Sequence, residues 1–196
     1  MAMSASIVAL IAGLTAGCAA SGSGEKPEAG SLASAASAGR SAASSRITFV
    51  PEQVVLPGGS TAAVRPASTV DGLLVVPENV RHVGWWDGSA SVGDPFGSTV
   101  IAGHVDSATG GLGYFSRLLS IKKGERVTVR SEAHRLAYRI ASVRSVSRTT
   151  LATTGAAFDQ TGEHRLVLIT CTGTFRPGRG YDRNLVVIGK PLGLAR

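Results

Sequence analysis

Leu166–Phe175 reads LVLITCTGTF, an apolar run that breaks abruptly into small polar residues. Four of its first five residues are apolar and Val167 and Ile169 are β-branched, which is the pattern of a buried strand over Leu166–Ile169. That strand delivers Thr170 and Cys171 to a Thr-Gly-Thr turn, where small side chains leave room for a substrate. Apart from Cys18, Cys171 is the only cysteine in the chain. A thiol at a strand end is a candidate nucleophile. It is equally readable as a small hydrophobe in a packed core.

Working outward, the 196 residues suffice for one well-packed domain. Aromatics are few (5%), glycines many (25) and apolar residues make up 43%, which suits a β-rich domain with many turns. The formal charge of +7 is unevenly placed, because Arg117–Arg148 is rich in Lys and Arg and contains only Glu125 and Glu132 as acids. Such a window favours anionic partners, although it also serves as ordinary solubility charge. For an exported chain those anions are wall polymers or lipid headgroups, not nucleic acid. Two cysteines make no disulfide framework.

Export is read from the N-terminus. Ile7–Gly17 (IVALIAGLTAG) has the length of a signal core and falls short of the ~20 residues a spanning helix needs. It ends in Leu-Thr-Ala-Gly-Cys, which resembles a bacterial lipoprotein signal with Cys18 as the lipidated residue. Leu14 lies one position too far from Cys18, and Met1–Ser6 carries no positive charge. Residues 1–18 are thus expected to be a signal peptide or lipoprotein-like signal. Residues 19–45, mostly Ala, Ser and Gly, are expected to form a flexible linker. The folded domain is expected over 46–196, on the outer face of the cell membrane through a lipid or the N-terminus, or secreted.

Within the domain, strands are expected at Ile47–Leu56 (broken at Pro51), Thr61–Pro66, Leu73–Val76, Ser98–Ala102, Arg126–Arg130, Arg135–Val143, His164–Ile169 and Asn184–Ile188. Arg126–Arg130 and Arg135–Val143 alternate cleanly and should pair antiparallel with basic outer faces. Tyr114–Leu119 should form a helical turn carrying Phe115 and Leu118 inward, and a short helix is expected around Thr150–Thr154. No long amphipathic helix is present. About eight short strands with irregular connections predict an all-β, closed or nearly closed barrel.

Three groups near strand ends carry the chemistry. His104 follows STVIAG, Cys171 follows LVLIT, and Arg183 precedes NLVVI. A thiol, an imidazole and a guanidinium supply a nucleophile, a proton carrier and an oxyanion partner, the set for acyl transfer through a cysteine. His82 is read as a packing or surface residue, and His134 and His164 as solvated. Four scattered histidines with one domain cysteine make no closed zinc site, and neither a phosphate-binding loop nor a glycosidase carboxylate pair stands out. No cofactor or metal is expected.

TVIAGHVDS (Thr99–Ser107), LVLITCTGTF and YDRNLVVI (Tyr181–Ile188), in that order, resemble the sortases. The Gly-His-Val-Asp-Ser context and VPENVRHVGWW (Val76–Trp86) resemble class F sortases of actinobacteria. The likeness extends over about residues 47–190 and implies an eight-stranded sortase barrel with one or two short helices. It further implies a cysteine transpeptidase that cleaves an LPXTG-like sorting motif after Thr and passes the acyl group to an amine, typically of a peptidoglycan precursor. Carried over, Cys171 is the nucleophile, His104 the general acid/base and Arg183 the stabilising arginine, with Arg176 and Arg179 as competitors in the same loop. Thr170 matches the family's Thr-Cys pair and is expected to contact the substrate or its oxyanion. Asp106 is expected to orient His104 or to cap a turn at the substrate site. The sorting motif itself depends on loop shapes, chiefly Ser147–Gly162. Two other readings are an idle sortase-like lipoprotein that binds the wall, and a peptidase that mainly hydrolyses. A wall L,D-transpeptidase is disfavoured because its Ser-His-Gly-Cys run is absent.

Overall fold

The computed structural model describes residues 45–196. The signal at 1–18, Cys18 and all but the last residue of the linker at 19–45 lie outside them.

Eight strands close into a barrel in the order β1 (Gln53–Val55), β2 (Thr61–Ala67), β5 (Val83–Trp86), β6 (Ser98–Ala102), β11 (Arg165–Arg176), β12 (Gly180–Pro191), β10 (Arg135–Ser147) and β9 (Arg126–Arg130), which pairs back onto β1. Two pairs, β2–β5 and β6–β11, are parallel and the rest antiparallel. Two-residue strands form side hairpins, β3 (Thr69–Val70) with β4 (Leu73–Leu74) and β7 (Asp106–Ser107) with β8 (Gly111–Leu112). The expected eight-stranded barrel is present.

Alternation along β11 assigns its two faces. Leu166 and Leu168 fill the barrel interior with Ile101, Phe115, Leu118 and Tyr138. Val167 and Ile169 point outward and are covered by Leu151 and Phe158 from the segment that follows β10. β6 lies in this doubly covered region, so all five of its residues are buried. The 3₁₀ segment Tyr114–Ser120 plugs the barrel with Phe115 and Leu118, as expected. Its Tyr114 hydroxyl donates to Ser60 O at 2.6 Å. The helix Arg148–Thr154 starts where Ser147 Oγ accepts from the Thr150 N–H at 2.9 Å and stops at Gly155, whose φ of 59° few other residues adopt.

Several expectations need correction. Leu73–Val76 forms no barrel strand. Only Leu73–Leu74 pairs, with β3, and Leu73 remains 63% exposed. The run is apolar because it flanks a cavity rather than a sheet. The cysteine strand does not end at Ile169 but continues to Arg176. The glycine read as part of a turn, Gly173 (φ 88°), instead marks a bulge between the Thr172–Arg183 and Phe175–Tyr181 pairs. Cys171 and Arg183 therefore sit within strands, not at their ends.

His164 is not solvated. It is 8% exposed, and its Nε2 lies 2.9 Å from the Tyr138 hydroxyl. Burial depresses its pKa, partly offset by Asp94. The unfolded chain binds a proton below about pH 6.5 that the native state resists, so His164 contributes stability that is full above that pH and lost as pH falls. The thermal midpoint is expected to drop between about pH 7 and pH 5, and less so in His164→Gln. Parallel slopes in melts of the two proteins would count against this.

Candidate active site

The parallel β6–β11 ladder builds the site. Ala102 stands opposite Ile169, and two residues further along each strand lie His104 and Cys171. Beyond the end of β6 the ladder is held together by hydrogen bonds. The Gly103 N–H donates to Ile169 O (3.0 Å), and Thr170 Oγ1 donates to Gly103 O (2.9 Å). With neighbouring strands roughly 4.8 Å apart, this register sets the imidazole-bearing residue beside the thiol-bearing one. On the other flank Cys171 pairs with Asn184 of β12. His104, Cys171 and Asn184 thus form a row across three adjacent chain segments, and Asn184 is a site residue that sequence reasoning missed.

Thr170 is 2% exposed and points into the barrel, opposite to Cys171. Its hydroxyl is committed to Gly103 O, so it fixes the approach to His104 while also contributing to the wall of a cavity at the thiol. Asp106, two residues past His104, accepts a 2.6 Å hydrogen bond from the Tyr181 hydroxyl on Oδ2. Its partner is Tyr181, not His104. Tyr181 in turn packs edge-on against Phe175.

Arg183 pairs with Thr172, one step from Asn184, and so leaves the sheet on the face opposite Cys171. Its Nε donates to Ser145 Oγ and its Nη2 to Ser145 O, both at 2.7 Å. Arg148, which the sequence reading passed over, lines the same cavity as Cys171 and His104. Its Nη1 donates to Arg179 O at 2.9 Å, which ties the start of the helix to the β11–β12 hairpin. The structure brings Cys171, His104, Asp106 and Arg148 together, and docks Arg183 on β10.

Burial pushes the Cys171 thiol up from its ordinary value, the Arg148 charge pulls it back, and Asp106 pushes it further up. The free site therefore rests as a neutral thiol at pH 7. Replacing Arg148 by Ala removes the one influence favouring the thiolate. The midpoint of iodoacetamide alkylation of Cys171 is expected to move to higher pH, and an unmoved midpoint would contradict this placement of Arg148.

Two cavities meet at the thiol. One, about 440 Å³, is bounded by Leu73, Leu74 and Val76 on one side and by Leu151, Ala152 and Phe158 on the other. The second, about 420 Å³, lies between Val105–Ala108 and the aromatic pair Phe175 and Tyr181.

Residues 53–192 match the sortase domain family. The chain belongs to the sortase family. Among solved structures it is similar to sortase C of Streptococcus pneumoniae (23% identity, TM-score 0.54, over 73% of this chain and 66% of that one). It is also similar to sortase C1 of pilus island 1 of group B Streptococcus (22%, 0.54, 72% and 64%) and to sortase C-1 of Actinomyces oris (24%, 0.56, 72% and 71%). This sortase thus spans just under two thirds of the first two enzymes' length. No curated protein matches it. At these identities the likeness establishes the barrel alone.

Proposed function

We propose that this sortase is an exported cysteine transpeptidase of the class F type, cleaving an LPXTG-like motif after Thr and transferring the acyl group to a cell-wall amine. The observation that carries this reading is the His104–Cys171 adjacency at the junction of two cavities, on a barrel of the sortase family. In the reaction His104 takes the thiol proton as sulfur attacks the carbonyl, then delivers it to the leaving amine, which leaves a thioester on Cys171. Arg183, which the resemblance makes the stabilising arginine, is held by Ser145 on the face opposite Cys171, and the arginine that lines the cavity at the thiol is Arg148. Arg148 favours the charged sulfur from within the cavity.

The apolar cavity between Leu73–Val76 and Leu151–Phe158 suits the Leu-Pro part of a sorting motif. The class F assignment rests on Gly-His-Val-Asp-Ser and VPENVRHVGWW. The exposed Arg126, Arg130, Arg135 and Arg139, which stand in two directly opposed pairs on β9 and β10, support docking near anionic wall or lipid material.

The test is a quenched-fluorescent LPXTG peptide incubated with the protein, with and without triglycine, the products being followed by mass. Cleavage after Thr with a triglycine adduct is the expected result. An inert peptide together with a Cys171 that resists alkylation would favour the wall-binding reading instead.

A further inference from the structure

The two cavities at the thiol share only His104, Cys171 and Tyr181 among their lining residues. A transpeptidase needs two seats that meet at the nucleophile, one for the acyl group and one for the amine that leaves and the amine that replaces it. The two cavities differ in charge. The apolar one contains Arg148, whereas the other contains Asp106 and neither Lys nor Arg among its lining residues. We propose that the cavity between Val105–Ala108 and Phe175–Tyr181 is the seat of the acceptor, and that the Asp106 carboxylate holds the ammonium group of a primary-amine substrate beside Cys171. The proposal rests on the transpeptidase reading and specifies which part of the site selects the second substrate.

Three observations support it. Asp106 is near enough to Cys171 to disfavour the thiolate, a cost to nucleophilic attack unless the carboxylate serves another step. Only Oδ2 of Asp106 is taken, by Tyr181, and a carboxylate has capacity for further donors. β7, which carries Asp106, begins two residues after His104, so an amine held there lies within reach of the imidazole. The held ammonium sheds one proton to water. Its nitrogen then attacks the thioester carbonyl, His104 takes the second proton as the C–N bond forms, and the C–S bond breaks to release Cys171 as thiolate. No other reactant is required.

The experiment measures the ratio of transfer to hydrolysis for the full chain with an LPXTG peptide. Because both products arise from one thioester, the ratio is independent of how fast the thioester forms. With triglycine as acceptor, Asp106→Asn is expected to lower the ratio about tenfold. With hydroxylamine, which is uncharged at neutral pH, the same variant should leave the ratio as in the wild type. The proposal is overturned if Asp106→Asn matches wild type with triglycine, or if it lowers the triglycine and hydroxylamine ratios equally. A wild-type chain that forms no acyl-enzyme overturns the transpeptidase reading and this one together, an outcome recognisable by intact-protein mass.

Discussion

Cys171→Ala protein is expected to form no acyl-enzyme and to lose at least about 10⁴-fold in peptide cleavage, with His104→Ala close behind. Residues that act as one unit each cost nearly the whole when removed. The reason lies in the ladder. His104 and Cys171 occupy neighbouring positions of two hydrogen-bonded segments, so no other side chain can be moved into either place without breaking the Gly103 contacts to Ile169 and Thr170. The thiol also rests protonated, because burial outweighs the Arg148 charge. It therefore depends on a base at the moment of attack. Intact-protein mass after mixing with peptide distinguishes the two variants. Cys171→Ala cannot trap an adduct under any condition, while His104→Ala should accumulate a trace of thioester at high pH. An adduct in Cys171→Ala would place the nucleophile elsewhere.

Gly113→Ala is expected to be the next most damaging change, without touching the reacting atoms. Gly113 has an ordinary φ of −74°, so conformation alone would admit alanine. The obstacle is space, since a Cβ there would run into the carbonyl oxygen of His104. That obstacle is backbone and cannot rotate away. Gly113 is further tied by its N–H to Val105 O at 2.8 Å, so it cannot easily retreat. The substitution must push the His104 segment off the β11 ladder. A shift of about 1 Å at a reacting group costs about 10²-fold in rate, and overpacking of this kind costs about 1–3 kcal/mol in stability. Activity should fall while Cys171 remains open to alkylation. Full activity with an unchanged melting temperature would show that His104 is not held in this way.

Much of the architecture was legible in local pattern. The alternation of RVTVR and RLAYRIASV specified an antiparallel pair with arginines outward, because period two on a half-buried sheet admits only one assignment of faces. Phe115 and Leu118, three residues apart, pointed inward from one helical turn as their spacing required. Where the reading failed, a local signal had two physical meanings. Gly173 was compatible with a turn or a bulge, and the choice depended on whether β12 lay alongside to continue the ladder. The apolar run Leu73–Val76 was compatible with a core strand or a cavity wall, which differ only in what covers them. His164 looked like a solvated strand entrance because nothing nearby in sequence announces that Tyr138 will meet it inside the barrel.

By itself the sequence determined that a thiol, an imidazole and a guanidinium would fall on or directly after strands of a β-rich domain, since those identities and strand patterns are local properties of the chain. Only the tertiary structure decided which groups meet. The parallel register of β6 on β11 set His104 beside Cys171, and the one-residue alternation of β12 sent Arg183 to the far face while turning Asn184 toward the thiol. Arg148 and Asp106 reached the two cavities through a helix start and a side hairpin whose placement depends on long-range packing. A side chain's face follows from its strand's pairing partners, and those partners lie dozens of residues away.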